Sequence, residues 1–223
     1  MRPGHAARRR SASIGALGAC LLLTGCYAGT AQAISPHEVA ADPGWLLVPG
    51  VPLIRQSGRS DCGAAALAMV LGYWSRPTSV QEIDARDPEA AAHGWKAGQL
   101  RDLAREKGLQ AFVVSGRLSD LTTEIGQRRP VLVGVVQRYG KDQSRAHYQV
   151  VIGIHPARRL ILTLDPAAGW RQDTLEGFAR EWIPTQQVTL VFLPPGLAPG
   201  PPAAAGAGAA RPAREAQRSP GAS

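Results

Sequence analysis

A single cysteine, Cys62, stands directly before a run of small and apolar residues in the stretch "DCGAAALAMVLGYW". The run is apolar nearly all round, which predicts a buried central helix over residues 62–74 with Asp61 as its N-cap. At the first turn of such a helix, free backbone N–H groups and the positive end of the helix dipole favour the thiolate over the thiol. The position therefore predicts a nucleophile, and the competing interpretation is a buried core thiol.

A thiolate nucleophile needs a base, and the base needs a third group to orient it. His147 opens the strand-like segment "HYQVVIGI", and Asp165 ends the segment "RLILTLD". Only "HPAR" separates the two segments, which predicts a hairpin whose open end brings His147 and Asp165 roughly opposite each other. A carboxylate there would fix the imidazole tautomer and stabilise the imidazolium. The alternatives are a structural histidine and an aspartate that forms a turn before Pro166.

Acyl transfer also needs hydrogen-bond donors for the oxyanion that forms in the transition state. The backbone N–H of Cys62, at the start of the predicted helix, is one donor. The side-chain amide of Gln56, six residues upstream, is a candidate for the second. The alternative for Gln56 is an amide in a polar loop with no catalytic part.

These elements together match a known pattern. Gln56, "DCGAAALAMVLGYW", "HYQVVIG" and "LDPAAG" resemble the bacteriocin-processing (double-glycine) cysteine peptidases, a compact papain-like family. In that family Gln, Cys, His and Asp occur in this order with similar separations, and the likeness covers nearly all of residues 51–193. The resemblance implies Cys62 as nucleophile, His147 as general base and acid, Asp165 as orienting residue and Gln56 in the oxyanion hole.

The resemblance implies hydrolysis of peptide bonds, with cleavage after small residues such as Gly-Gly in the family's best-known members. Those members are cytosolic domains fused to exporting transporters, and no transporter is predicted here. Two alternatives stay open at this stage: a peptide-binding module that keeps the groove without turnover, and an acyl or peptide transferase that uses the same thioester. The expected partner is a peptide or protein, and we expect a monomer.

Hydrophobic periodicity orders the elements with helices first and strands after. Beyond the central helix, Thr78 or Ser79 is expected to cap a short helix to about residue 87. Further helices are predicted at 96–108 and 118–129, a strand at 109–115, and four β-rich segments after residue 130, with a short helix before the last. This order predicts an α+β class, with a papain-like fold in which the cysteine helix is buried against a mostly antiparallel sheet.

The N-terminus predicts export. Four arginines precede the short apolar run "IGALGACLLLTG", and about 18 apolar residues would be needed to span a bilayer. The following residues, Leu23 to Cys26, resemble the lipobox of bacterial lipoproteins, which implies a signal peptide at 1–25 and lipidation of Cys26. The predicted location is extracytoplasmic, on a lipid anchor, with the outer membrane facing the periplasm favoured. The alternative is an ordinary signal peptide cleaved after Ala33.

Composition divides the rest of the chain. Residues 194–223 are nearly all Pro, Ala, Gly and Ser, which predicts a disordered tail, and residues 26–50 are expected to be a lipidated tether. The domain is predicted at 51–193. Of the net charge of +8, four positive charges lie in the signal and a net two in the tail, which leaves +2 for residues 26–193.

That balance, with no Lys/Arg stripe interleaved with aromatic residues, argues against nucleic-acid binding. The five histidines are scattered without metal-ligand spacing, and His93 and His155 are expected on surface loops. Neither a metal nor an organic cofactor is predicted.

Overall fold

The computed structural model describes residues 27–196. Within them, helices, strands and one 3₁₀ turn follow in this order: β1 (Gln32–Ala33), α1 (Pro36–Ala41), β2 (Leu46–Leu47), α2 (Cys62–Tyr73), α3 (Val80–Asp84), α4 (Pro88–His93), α5 (Ala97–Glu106), β3 (Gln110–Ser115), α6 (Leu118–Gly126), β4 (Val131–Tyr139), β5 (Gln143–His155), β6 (Leu160–Asp165), β7 (Gly169–Thr174), α7 (Leu175–Trp182), the 3₁₀ turn (Ile183–Thr185) and β8 (Val188–Leu193).

The strands form one sheet in the order β1-β7-β6-β5-β4-β8-β3, and β2 pairs with β5 beside this path. Every pairing described in the sheet is antiparallel. Most helices come early in the chain, and α2 packs against β5 and β4. The predicted α+β class, with a central helix on an antiparallel sheet, is confirmed.

The central helix α2 is buried from Cys62 to Leu71. A helix without a polar face must be covered on all sides, and here the sheet, α3 and α5 all contact it. It ends where Ser75 adopts a positive φ of 58° and the N–H of Arg76 donates to the carbonyl oxygen of Leu71 at 2.8 Å. The predicted helix is confirmed to within one residue of its end.

The next predicted helix is shorter than expected, and an unpredicted helix follows it. Ser79 caps α3 in a reciprocal capping box with Glu82, as expected, but α3 ends at Asp84. Pro88 then begins α4 with Asp87 as its N-cap. A proline has no N–H to donate into a preceding turn and is tolerated at the first position of a new helix, which explains the break.

The largest departure from the sequence prediction is the segment before residue 51. The predicted tether at 26–50 is wrong for the described residues 27–50, because they belong to the folded domain. Val39, Trp45 and Val48 are buried in the core. β1 extends the sheet beside β7, and β2 pairs with β5 where the register of β5 shifts. Elements of two to six residues are too short to show a hydrophobic period, so the sequence did not indicate this packing.

The same segment covers His155, which was expected on a surface loop and is 4% exposed. The ring of Trp45 packs edge-on against His155 with centroids 5.3 Å apart. Nε2 of His155 lies 3.3 Å from Oδ2 of Asp42, and its Nδ1 accepts the N–H of Arg158 at 3.2 Å. His93, by contrast, is exposed at the end of α4. Among residues 27–196 no helix combines the length and apolar character needed to cross a bilayer.

Trp45→Ala tests whether the N-terminal segment is part of the folding unit. We expect the free energy of unfolding to fall by about 3 kcal/mol, because a buried indole is lost and a cavity remains. Leu46→Ala is the matched control: Leu46 is 42% exposed, and its loss is expected to cost about 0.5 kcal/mol. Urea unfolding measures both. Equal small effects would contradict the assignment.

Candidate active site

Cys62 is the first residue of α2 and is 8% exposed. The expected N-cap, Asp61, does occupy the cap position, but its side chain caps no helical N–H. Its carboxylate instead accepts from the N–H groups of Ser57 and Gly58 and from the Ser57 hydroxyl, at 2.8–3.0 Å. These upstream donors hold the loop that leads into the helix, so Asp61 fixes the approach to Cys62.

The thiol of Cys62 lies among donors. The imidazole of His147 and the backbone N–H groups of Tyr148 and Gly63 lie close enough to act on its pKa. Burial alone would raise the pKa of the Cys62 thiol, but these donors and the charge of His147 outweigh it and lower that pKa. The Gly63 N–H belongs to the first turn of α2, where N–H groups lack helical acceptors. The helix start therefore adds a smaller contribution to that of His147 in lowering the pKa of the thiol.

His147 and Asp165 form a buried pair. Nε2 of His147 lies 2.8 Å from Oδ1 of Asp165, and their side chains are 2% and 1% exposed. Burial alone would lower the pKa of His147, but its hydrogen bonds to Asp165 and Cys62 raise it to about 9. Since Nε2 faces a carboxylate, which can only accept, Nε2 carries a proton and Nδ1 is left for the thiol.

Several hydrogen-bond donors surround the carboxylate of Asp165. Burial alone would raise its pKa, but the hydrogen bond and charge of His147, with the N–H groups of Ala167 and Ala168, lower it to about 2. Both N–H groups donate to Oδ1, at 2.8 and 3.1 Å. They come from the turn after β6, so the carboxylate that contacts His147 also stabilises this turn.

Two glutamines that the sequence analysis missed hold the other oxygen of Asp165. Nε2 of Gln137 and Nε2 of Gln149 donate to Oδ2 at 3.0 and 3.1 Å. Extending the register of β5 and β6 from the Val150–Leu164 pair places Gln149, not His147, directly opposite Asp165. His147 lies two residues along on the same face and reaches the carboxylate diagonally. The alternation "H-Y-Q" in β5 was the available signal for Gln149.

Gln56 lies beside the site, with its side chain engaged differently from the prediction. Its backbone N–H donates to the carbonyl oxygen of Pro166 at 3.1 Å, which places it next to Asp165. Its Nε2 donates to the carbonyl oxygen of Gly58 at 2.7 Å, and its buried Oε1 has no hydrogen-bond partner among the described residues. An amide nitrogen carries two hydrogens, so one N–H of Gln56 is left over. The oxyanion role stays a prediction.

The start of α2 is tightly enclosed. A Cβ on Gly63 would lie 3.0 Å from Cβ of Trp95 and 3.3 Å from Cδ2 of Tyr148. Trp95 is itself fixed by a hydrogen bond from Nε1 to Oδ1 of Asp84, at 2.9 Å. Only glycine allows this approach without displacing a neighbour, so the residue after Cys62 is constrained by packing. This packing holds the first turn of α2, and with it the sulfur of Cys62, in a fixed position.

These contacts join thiol, imidazole and carboxylate in one buried chain. The pKa of Cys62 is lowered and that of His147 is raised, and both shifts favour the coupled pair of thiolate and imidazolium. Such a pair can attack an acyl carbon and protonate a leaving group. Residues 27–196 contain no cluster of three or more His, Cys, Asp or Glu side chains suited to a metal ion. Cys26 lies outside the described residues.

Comparison with known protein families decides the identity of the chain. The model of the Peptidase C39 family matches residues 50–194, more than half of the sequence. The chain belongs to this family. The resemblance to double-glycine cysteine peptidases is thereby confirmed, and the protein is a cysteine peptidase.

Solved structures share the fold of this C39 peptidase. The peptidase domain of Streptococcus ComA, described as a bifunctional ABC transporter of a quorum-sensing pathway, is 21% identical with a TM-score of 0.53, over 65% of this chain and 99% of that one. A double glycine motif protease from an AMS/PCAT transporter, solved with a leader peptide, is 25% identical with a TM-score of 0.51, over 65% and 92%.

A third structure, xylellain, a cysteine protease from Xylella fastidiosa, is 10% identical with a TM-score of 0.50, over 74% of this chain and 91% of that one. These likenesses confirm the predicted papain-like fold. The comparison with curated proteins found no significant match.

The charge state of the pair predicts the pH dependence of kcat/KM. The thiolate is lost as pH falls through the lowered pKa of Cys62, and the imidazolium is lost as pH rises through about 9. Asp165→Asn removes the carboxylate that holds the proton on His147, so the alkaline limb should move down by about one pH unit or more.

Gln149→Leu is the control for this change, because it removes a donor to Asp165 and leaves the carboxylate in place. We expect it to reduce kcat while the alkaline limb stays where it is in the wild type. Profiles with a fluorogenic peptide measure all three proteins. An alkaline limb that is unmoved in the Asn variant would show that Asp165 does not set the protonation of His147.

Proposed function

We propose that this protein is an extracytoplasmic, lipid-anchored peptidase that hydrolyses peptide bonds through Cys62, His147 and Asp165. The observation that carries the catalytic part is the buried chain from thiol to imidazole to carboxylate, with 2.8 Å between Nε2 of His147 and Oδ1 of Asp165. An orienting carboxylate, a proton-bearing imidazole and an activated sulfur are the three parts that thiol-based acyl transfer needs.

In the first half of the reaction, the Cys62 thiolate attacks the carbonyl carbon of the scissile bond and forms a tetrahedral oxyanion. The oxyanion collapses with loss of the amine, which takes the proton from Nδ1 of His147. The C–N bond breaks and a C–S bond remains as a thioester. Asp165 stabilises the imidazolium before this transfer and holds the ring throughout.

In the second half, neutral His147 removes a proton from water, and the resulting hydroxide adds to the thioester carbon. The C–S bond then breaks, the carboxylic acid product leaves, and the sulfur departs as thiolate beside the re-protonated imidazole. The thiolate–imidazolium pair is therefore regenerated with no net change in the enzyme.

The oxyanion needs donors in both halves. The Cys62 backbone N–H is at the first position of α2, where helical acceptors are lacking. The second N–H of Gln56 is the other donor we assign, since only one is used by Gly58. The unpartnered Oε1 of Gln56 indicates that this amide is not satisfied in the resting enzyme. We propose that it reorients when substrate binds.

We assign cleavage after small residues such as Gly-Gly on the strength of the family. A relative 25% identical to this chain is described as a double glycine motif protease and was solved with a leader peptide.

The lipid anchor is supported by contacts that immediately follow Cys26. The Tyr27 hydroxyl donates to Oε1 of Glu181 at 2.5 Å, and the Tyr27 ring lies 4.3 Å from the Arg171 guanidinium carbon. Cleavage after Ala33, the alternative, would remove Tyr27 and Thr30, which donate hydrogen bonds to Glu181 and Asp173. Cleavage before Cys26 keeps both residues. This favours the lipoprotein interpretation.

The catalytic proposal is tested with a peptide that carries Gly-Gly before the scissile bond. Wild type should release both fragments, Cys62→Ala should fall by at least about 10³-fold, and replacing both glycines by leucine should abolish cleavage. Mass spectrometry identifies the products. Retained hydrolysis by Cys62→Ala would refute the assignment. Products that carry an added amine acceptor would favour the transferase alternative.

The anchor is tested by fractionating cells that export the full chain. Cys26→Ser removes the thiol that accepts the diacylglyceryl group, so the protein should lose the lipid mass on its N-terminal peptide and leave the membrane fraction after a high-salt wash. Cys20→Ser, inside the predicted signal peptide, should leave both properties unchanged. An unmodified N-terminus in the wild type would rule the anchor out.

A further inference from the structure

We propose that the surface around Tyr27 docks on anionic phospholipid headgroups and presents a defined face of the domain to the membrane. We call this surface the basic rim; it consists of Arg138, Lys141 and Arg145 on the β4–β5 hairpin, Arg180 on α7, and the exposed Ile183. The inference rests on the proposed lipidation of Cys26. It adds a second contact, between the folded domain and the bilayer, that lipidation by itself does not require.

The first step is that Tyr27 is fixed to the domain. Besides its contacts to Glu181 and Arg171, it forms a β-bridge with Tyr139, and the two rings pack edge-on with centroids 6.0 Å apart. The N–H of Ala28 donates to the carbonyl oxygen of Arg138 at 2.9 Å. The chain thus leaves the domain at the outer end of the β4–β5 hairpin.

The second step is the length of chain between lipid and domain. Residue 26 would carry the acyl chains, and consecutive Cα atoms across a trans peptide are about 3.8 Å apart. Flexible tethers give a lipoprotein domain freedom to turn above the membrane, and such a tether was expected at 26–50. Because Tyr27 is itself held in the fold, one peptide unit separates the acylated residue 26 from the domain. The surface around Tyr27 must then lie at headgroup level.

The third step is the charge of that surface. Arg138 and Lys141 are exposed and Arg145 is half-buried, and their side chains make no hydrogen bond or ion pair within residues 27–196. Asp142 is the one acid in the hairpin turn. Arg180, exposed on α7, lines the same side. Unpaired cations beside a bilayer are attracted by anionic lipids, and the attraction fades within a Debye length.

The fourth step is an apolar feature in the same place. Ile183 is 59% exposed and is the most exposed large hydrophobic side chain within residues 27–196. It borders a pocket of about 280 Å³ whose other walls include Ala28, Thr30 and Arg180. A solitary apolar side chain flanked by cations is the combination that partitions into the headgroup boundary. Docking would also hold His147 about 13 Å from the hairpin turn, four residues along β5.

The test uses the purified full-length lipoprotein, reconstituted into vesicles of phosphatidylcholine with or without phosphatidylglycerol. Hydrogen–deuterium exchange is followed in peptides that cover residues 138–145 and 180–184. We expect slower exchange in both peptides with phosphatidylglycerol than without it. The difference should disappear in high salt, because screening weakens the attraction.

The matched variants change the same number of charges on different faces. Arg138→Gln/Lys141→Gln/Arg145→Gln should stay anchored and lose the lipid-dependent protection. Lys96→Gln/Arg101→Gln/Lys107→Gln, at α5 and its ends, should keep it. Peptidase activity in detergent checks that both variants fold.

The outcomes separate the two proposals. A lipid-modified protein whose exchange is the same in both vesicles, or whose hairpin variant keeps the protection, overturns docking and leaves the anchor standing. An N-terminal peptide without lipid mass overturns the anchor and, with it, the docking. Lipid-dependent protection that only the hairpin variant loses supports the proposal.

Discussion

A buried carboxylate, that of Asp165, is held ionised in this protein, and its charge influences the protonation of the imidazole and the thiol next to it. Asp165 is 1% exposed, and an unpaired charge at such depth would take up a proton. Three donors on Oδ1 and two on Oδ2 prevent this and keep its pKa near 2. A fixed negative charge next to His147 then raises the pKa of the imidazole, and the imidazolium in turn favours the Cys62 thiolate. The charge of Asp165 therefore acts on the Cys62 thiol through the imidazole of His147.

Other acids near Asp165 do not share its low pKa. Asp173 and Glu181 also lie in the partly buried region beside Arg171, and burial raises the pKa of each. Arg171 acts on both of these acids and also lies 3.9 Å from Oδ2 of Asp165. Its charge does not offset the effect of burial on Asp173 and Glu181, whose pKa values stay raised. Asp165 stays charged because backbone and glutamine N–H groups solvate it, in place of water.

Cys62, His147 and Asp165 could be proposed as catalytic residues from the sequence because each one depends on local structure. A cysteine at a helix start, a histidine at the start of a strand and an aspartate before a turn can be recognised within about ten residues of context. Gln137 and Gln149 could not be predicted in the same way. Their contact with Asp165 depends on which residues of β4, β5 and β6 are opposite each other, and β5 changes register between Val151 and Gly153. Periodicity identifies a face of a strand, and it does not fix the register.

The N-terminal segment shows the other limit of sequence reasoning, and it also changes the physical picture of the domain. The elements within residues 27–50 are only two to six residues long, too short to show a period, and their packing depends on surfaces made by β5, β7 and α7. Thr30 donates to Asp173, and a Cβ on Gly177 would collide with both, so α7 is shaped to receive this segment. With Tyr27 and Thr30 in place, the acids beside Arg171 are shielded from water, and shielding is what raises their pKa values. The segment next to the predicted lipid site therefore contributes to the low dielectric in which Asp165 holds its charge.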